Sequence, residues 1–197
     1  NILMRPGDMN GWKGQVGLGT SNGKFLIEGP LAKDKASVIA GGRISNVNWL
    51  LNQTQDLDLK QSRLNFYDGY LGLTWKLSQG HTMEANTLLT GDRFQFSDQF
   101  GYEWSNRVSS LRYKGILGEH LSVSALVADG DFSNAFIDPE GVEAAQVQNG
   151  MRYQQGKVSA TWAKDLFALT GGLEALNYQG KPERLLPFGS ESGIQPE

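Results

Sequence analysis

Apolar and polar residues alternate with a period of two along most of this chain. That period puts successive side chains on opposite faces of a β-strand, whereas a helix would repeat every three to four residues. Helical periodicity is scarce. The pattern predicts nine strands, over residues 12–20, 24–31, 36–50, 66–77, 82–94, 104–117, 121–129, 151–163 and 166–179. After a first turn at Ser21-Asn22-Gly23, the connections alternate between short (AKDK, SQGH, GEH, KD) and long (51–65, 95–103, 130–150 and 180 onward). An all-β antiparallel meander with tight turns at one end and long loops at the other matches outer-membrane barrels, whose short turns lie in the periplasm. A soluble β-sandwich has no need of such alternation.

The aromatic residues sharpen this expectation. Trp12, Trp75, Tyr113, Trp162 and Phe167 all fall near the short-turn ends of their strands, as a membrane-interface girdle would. Such rings favour the interface because the body is apolar and the edge can stay wet. Trp49, Tyr67, Tyr102 and Trp104 fall near the opposite ends, as a second girdle would. Between them, positions sharing parity with the first girdle are apolar: Leu71 and Leu73, Leu121 to Val127 at every second residue, and Val158 and Ala160. The other parity collects the charges Arg43, Asp68, Glu84, Asp92, Arg112 and Glu174, which are expected to face a lumen and to touch a plug, water or substrate. An arginine facing lipid at mid-bilayer costs roughly 2–4 kcal/mol, and one facing a wet lumen costs little. Arg93 and Arg107 break the rule and are expected near the outer rim. An ordinary sheet with one buried face shows the same alternation, so a soluble β-sandwich binding a glycan or protein remains the alternative.

Composition narrows the classes. With 197 residues the chain can form one domain with a sizeable core. Glycine is abundant at 25 residues, proline is sparse at 6, and cysteine is absent, which removes disulfides and thiolate metal sites. A formal net charge of −3 gives no reason to expect nucleic acid as a partner. A mean hydropathy of −0.38 is too polar for a helical membrane protein but not for a barrel, where only alternate residues meet lipid. The first residues, NILMRPGDMNGW, do not read as a signal peptide.

The stretch GWKGQVGLGTSNGKFLIEGPLAKDKASVIAGGRIS resembles the opening barrel strands of TonB-dependent outer-membrane receptors, in the branch carrying a carboxypeptidase-regulatory-like domain. The resemblance rests on Glu28-Gly29-Pro30-Leu31, the turn Lys33-Asp34-Lys35, and Gly42-Arg43 followed by Ser45. It continues through Phe66-Tyr67-Asp68, Gly91-Asp92-Arg93-Phe94 and WSNRVSSLRY, and covers roughly residues 5 to 178. It implies a plugged, 22-stranded barrel energised through TonB, taking up a siderophore, cobalamin, glycan or peptide. The implied partners are outer-membrane lipid, the TonB system, the remaining barrel strands and a surface lipoprotein. On this reading residues 1–11 are the link from a plug domain, 12–179 the first barrel strands and 180–197 the start of an extracellular loop. Nine strands are odd in number and do not close, so the chain is expected to be a section of a larger barrel. A porin built from several copies would bring odd-numbered edges together in parallel, which bacterial barrels avoid.

No catalytic arrangement is legible. His81 and His120 both fall in predicted turns, away from any plausible nucleophile, and no enzyme activity is expected. In GLGTSNGK no helix follows the glycines, so it is not a nucleotide loop. One stretch carries metal-site spacing: Asp129, Asp131, Ser133 and Glu140 stand at positions 1, 3, 5 and 12 of a calcium loop. Asn134 replaces the usual glycine there and no flanking helices are expected, so the competing reading is a solvated acidic loop. No other cofactor is implied.

Overall fold

The computed structural model describes residues 5–138 and 144–188. They form one nine-stranded sheet in the order β1 to β9, with every neighbouring pair antiparallel. The strands are β1 Lys13–Leu18, β2 Asn22–Ala32, β3 Ala36–Ser45, β4 Arg63–Ser78, β5 His81–Phe96, β6 Phe100–Leu117, β7 Leu121–Asp138, β8 Ala145–Lys164 and β9 Phe167–Pro187. The all-β meander is therefore present as expected, with all nine strands in their expected order. The sheet is open, with β1 and β9 at its edges.

The short turns are set by local chemistry. Each contains one residue in the left-handed region: Asp34 (φ 59°), Gly80 (φ 78°), Gly118 (φ 70°) and Asp165 (φ 52°). Glycine enters this region without a Cβ clash, and aspartate tolerates it through local hydrogen bonding. The strands therefore begin and end within about two residues of expectation at this end of the sheet.

At the other end the expectation fails. Most of residues 95–103 and 130–150 are not loop: β5 runs to Phe96, β6 starts at Phe100, β7 runs to Asp138 and β8 starts at Ala145. Residues 180–187, read from sequence as loop, continue β9 and pair with β8. Residues 46–62 form a long connection, expected over 51–65: the third strand, expected to run to 50, ends at Ser45, and two short helices follow, α1 Asn48–Leu51 and α2 Leu57–Gln61. Asp56 caps α2 by accepting from the N–H groups of Asp58 and Leu59. Ser62 Oγ donates to Asp58 O (2.6 Å) and accepts from Ser97 N–H (3.1 Å), tying this loop to the β5–β6 turn.

The sheet is a single layer. Among the described residues only Ile39, Ala135, Ile137 and Ala144 are buried apolar side chains, while Trp12, Trp75 and Val158 are each 58% exposed. A sandwich would bury the inner faces of two sheets against each other. Here the apolar surface is left uncovered, so what lies against the two faces decides what the molecule is for.

Candidate functional site

Cross-strand register assigns every side chain to one of two faces. Face A carries Trp75, Tyr113, Val127 and Val158; face B carries Arg43, Glu84 and Arg112. The five expected girdle residues all lie on face A. Trp12 lies over Gly29, where any Cβ would collide with the indole. Gly29 belongs to the register row that runs through Val38, Leu73, Val127 and Ala175.

Measured from that row, Trp75 and Tyr113 stand two residues nearer the short turns, Trp162 six, and Phe167 eight. The belt thus descends eight residues in passing from β1 to β9, an average of one residue per strand, although it does not move between β4 and β6. A step of about 3.3 Å against a strand spacing of about 4.8 Å corresponds to a tilt of about 35°, which is the tilt of strands in barrels. Tyr113 extends the belt toward the turns. Its ring lies over Gly115, and its hydroxyl bonds His81 Nδ1 at 2.6 Å. His120 packs edge-on to Trp162, with ring centroids 6.4 Å apart. Both histidines thus belong to the aromatic belt.

The six expected lumen charges all share face B, but they form separate groups. Arg43 pairs with Asp68, its Nε donating at 2.6 Å, and its guanidinium sits 5.0 Å over the Phe66 ring. Glu84 accepts from Lys114 Nζ at 2.8 Å and lies 3.9 Å from Arg112. Glu174 pairs with Lys157 at 3.3 Å and accepts from Gln155. Asp92 forms no ion pair among the described residues; Trp104 stands directly opposite it across the strand pair.

Residues 5–11 also lie against this face. Arg5 grips Glu28 with two hydrogen bonds (2.6 and 2.9 Å), the Asp8 N–H donates to the same carboxylate (3.2 Å), and Gly7 packs on the backbone of Val38. Asp8 pairs with Lys13, and that bond holds its carboxyl below the usual range. Sequence reading missed this strap, because no periodicity marks a segment that crosses strands instead of joining them.

Toward the long-loop end the two faces exchange character. On face A of β7, Leu121, Val123, Ala125 and Val127 give way to Asp129, Asp131 and Ser133. On neighbouring strands the same face brings in Arg93, Glu103, Arg107, Arg152 and Lys181. These charges pair: Arg93–Glu103 at 2.7 Å, Arg152–Asp129 at 3.0 Å, Arg107–Asp129 at 3.8 Å and Lys181–Asp131 at 2.7 Å. Face B gains aromatics in return. Phe96 stacks on Phe100 at 5.5 Å, Phe100 meets Tyr102 at 5.9 Å, and Tyr102 meets Phe136 at 5.1 Å.

The second girdle therefore needs correction. Tyr102 and Trp104 lie on face B, Trp49 sits in α1 with its Nε1 donating to Thr20 O, and only Tyr67 lies on face A. Arg93 and Arg107 lie toward the long-loop end of face A, each beside a carboxylate partner, with Leu89 directly opposite Arg107.

The calcium spacing also needs correction. Asp129, Asp131 and Ser133 alternate along a strand instead of wrapping a loop, and each already has a partner: Arg152 and Gln154 for Asp129, Lys181 for Asp131, Gln148 for Ser133. Glu140 lies outside the described residues. Among the described residues no group of His, Asp or Glu side chains could hold a metal ion. Comparison with protein-family models, curated proteins and solved structures finds no match to this chain.

Proposed function

We propose that this chain is a section of the wall of an outer-membrane β-barrel, belonging to a TonB-dependent transporter. Face A meets lipid over the short-turn half, and face B lines the lumen. One observation carries the reading. On face A the apolar stripe runs seven residues on β7 (121–127) and nine on β9 (167–175), starts at an aromatic belt that descends eight residues from β1 to β9, and gives way to ion pairs on β7 and to Asn177, Gln179 and Lys181 on β9. A transmembrane strand needs about 9–11 residues, flanked by aromatic girdles. The lack of a packed core among the described residues supports this reading over a soluble sandwich, whose apolar faces would bury one another.

The uptake role rests on the resemblance of the motifs around Glu28-Gly29-Pro30-Leu31 and Phe66-Tyr67-Asp68. In this role the chain does no chemistry. Its charged face holds the plug or water, and edges β1 and β9 pair with further strands of the same polypeptide, leaving no open edge in the membrane. The test is to recover the native protein carrying this sequence from fractionated cells. An integral outer-membrane species several times heavier than 21.6 kDa supports the reading. The same sequence found only in the soluble fraction overturns it.

A further inference from the structure

Two carboxylates of face B, in adjacent register rows, stand beside aromatic rings, and only one of them holds a cation. Asp68 binds Arg43, whose guanidinium lies over the Phe66 ring, 5.0 Å from its centroid. Carboxylate and ring hold this positive charge together, the first by ion pairing and the second through its quadrupole. Asp92 lies in the next row, directly opposite Trp104. Side chains so paired across two strands stand about 5 Å apart at Cβ. Asp92 has neither an ion pair nor a hydrogen bond among the described residues. Arg43 is committed to Asp68, and Arg93, next to Asp92 in the chain, pairs with Glu103 on the other face.

The surroundings of this carboxylate define a ligand. Indole is the best of the aromatic faces for a cation, and Trp104 is 42% exposed. One row further toward the long-loop end, Phe94, Tyr102 and Phe136 stand side by side on face B, with the Tyr102 and Phe136 centroids 5.1 Å apart. A lone carboxylate below an aromatic surface is complementary to a positive head on an apolar body. The place is accessible as well. Asn134, opposite Trp104 on β7, stands five residues beyond Asp129, about 17 Å at a rise of about 3.4 Å per residue. On the outer-membrane reading, that height is on the long-loop side of the lipid stripe, facing the lumen.

Resting on that reading, we propose that Asp92 and Trp104 form a subsite for an organic cation entering from the long-loop side. The ligand class is an ammonium or guanidinium group carried on an apolar body. Its charged group lies against the Asp92 carboxylate and over the Trp104 indole, and its body lies on Phe94, Tyr102 and Phe136. A neutral sugar would stack on the indole and leave the Asp92 charge unmatched; charge complementarity selects the cation.

The experiment uses the full native protein in nanodiscs of zwitterionic lipid, with protein-free nanodiscs as reference and titration calorimetry as the readout. The probes share one apolar body and differ in charge: phenylpropylammonium, phenylpropanol and phenylpropanoate. The expected result is that the ammonium binds about tenfold tighter than the alcohol, as an ion pair joined to a cation–π contact gives, and that the carboxylate does not bind. In Asp92→Asn the ammonium and the alcohol should bind alike. Equal affinity for ammonium and alcohol in the wild-type protein overturns the proposal and needs no variant. A preference for the ammonium that survives Asp92→Asn overturns it too, by placing the site elsewhere. Absence of binding by all three probes overturns it as well. A wild-type protein that does not enter nanodiscs overturns the outer-membrane reading, a failure distinct from these.

Discussion

The short-turn half and the long-loop half of this sheet share the same strands and the same hydrogen-bond ladder, yet their faces have opposite roles. Below the row of Asp129, face A is aliphatic with an aromatic belt, and face B carries Glu84, Arg112, Lys114, Lys157 and Glu174. Above it, face A carries ion pairs, and face B carries Phe94, Phe96, Phe100, Tyr102 and Phe136. The backbone does not distinguish the halves, so the surroundings must. On the proposed outer-membrane reading, a lipid stripe of limited height accounts for an apolar run that stops after seven residues on β7 and nine on β9, with charged or polar residues following on that face. Strands β1 to β3 show the same rule from the other side. They end at or before Ser45, and face A stays apolar to the end of β3 at Ile44.

The sharpest way to break this comparison is to place one substitution in each half of one face. Ala125→Arg, in the middle of the stripe, and Ser133→Arg both lie on face A of β7. The first puts a charge into the lipid stripe and should cost roughly 2–4 kcal/mol of stability in bilayers. The second lies above the stripe and should change stability by less than about 0.5 kcal/mol. Equal costs in a urea titration of the membrane-folded protein would erase the distinction between the halves.

Next in size is the belt itself. Gly115→Leu drives a side chain into the space of the Tyr113 ring, whose hydroxyl lies 2.5 Å from an ideal Cβ at Gly115. It should destabilise by about 1–3 kcal/mol, as overpacking does. Gly180→Leu, where nothing stands within 4 Å, should be nearly silent in the same titration. A smaller effect separates two tryptophans. With single-Trp variants, Trp162 fluorescence should be quenched by brominated lipid and not by iodide, and Trp104 the reverse. Lipid quenching of both would return Trp104 to a second girdle.

The smallest effect concerns the strap. The Asp8 carboxyl is held below its usual range mainly by its bond to Lys13, with the N–H of Asn10 helping. A carboxylate with a lowered folded-state pKa contributes stability that is present above its unfolded value and is lost as the pH falls through its folded value. Proteolysis between residues 5 and 11 should therefore rise as the medium is acidified below the ordinary carboxylate range. In Asp8→Asn the Lys13-dependent part of that rise should be absent. A rise of the same size in both proteins would remove Asp8 from the account.

What was legible in the sequence followed this same division. Strand number, order and the short-turn boundaries could be read because alternation with a constant phase runs into Gly80, Gly118 and the Asp34 and Asp165 turns. The six face-B charges were placed by that phase. The upper strand ends were not legible, because the phase breaks there: in DGDFSNAFID the Val127 parity turns polar at Asp129, Asp131 and Ser133, Phe132 and Phe136 take the other parity, and Ala135 and Ile137 return to the first. Along one parity the alternation stops at Asp129, the pattern of a loop, and the sequence expectation for β7 therefore ends nine residues short of Asp138. The same break put Trp104 and Tyr102 in the wrong girdle and lent Asp129, Asp131 and Ser133 the look of a metal loop. The strap's bond between Arg5 and Glu28 spans 23 residues with no repeating pattern to announce it.

The central claim is that face A leaves lipid at Asp129. It is tested most directly by spin labels placed one at a time along β7, from Leu121 to Asp138, in the full protein in bilayers. Collision with oxygen reports lipid, and collision with a water-soluble nickel chelate reports solvent. The expected result is oxygen maxima at 121, 123, 125 and 127, then nickel maxima at 129, 131 and 133, with neither probe favoured at the buried positions 135 and 137. Oxygen maxima that continue on the odd positions to Ile137, or that never arise on either face, would contradict it.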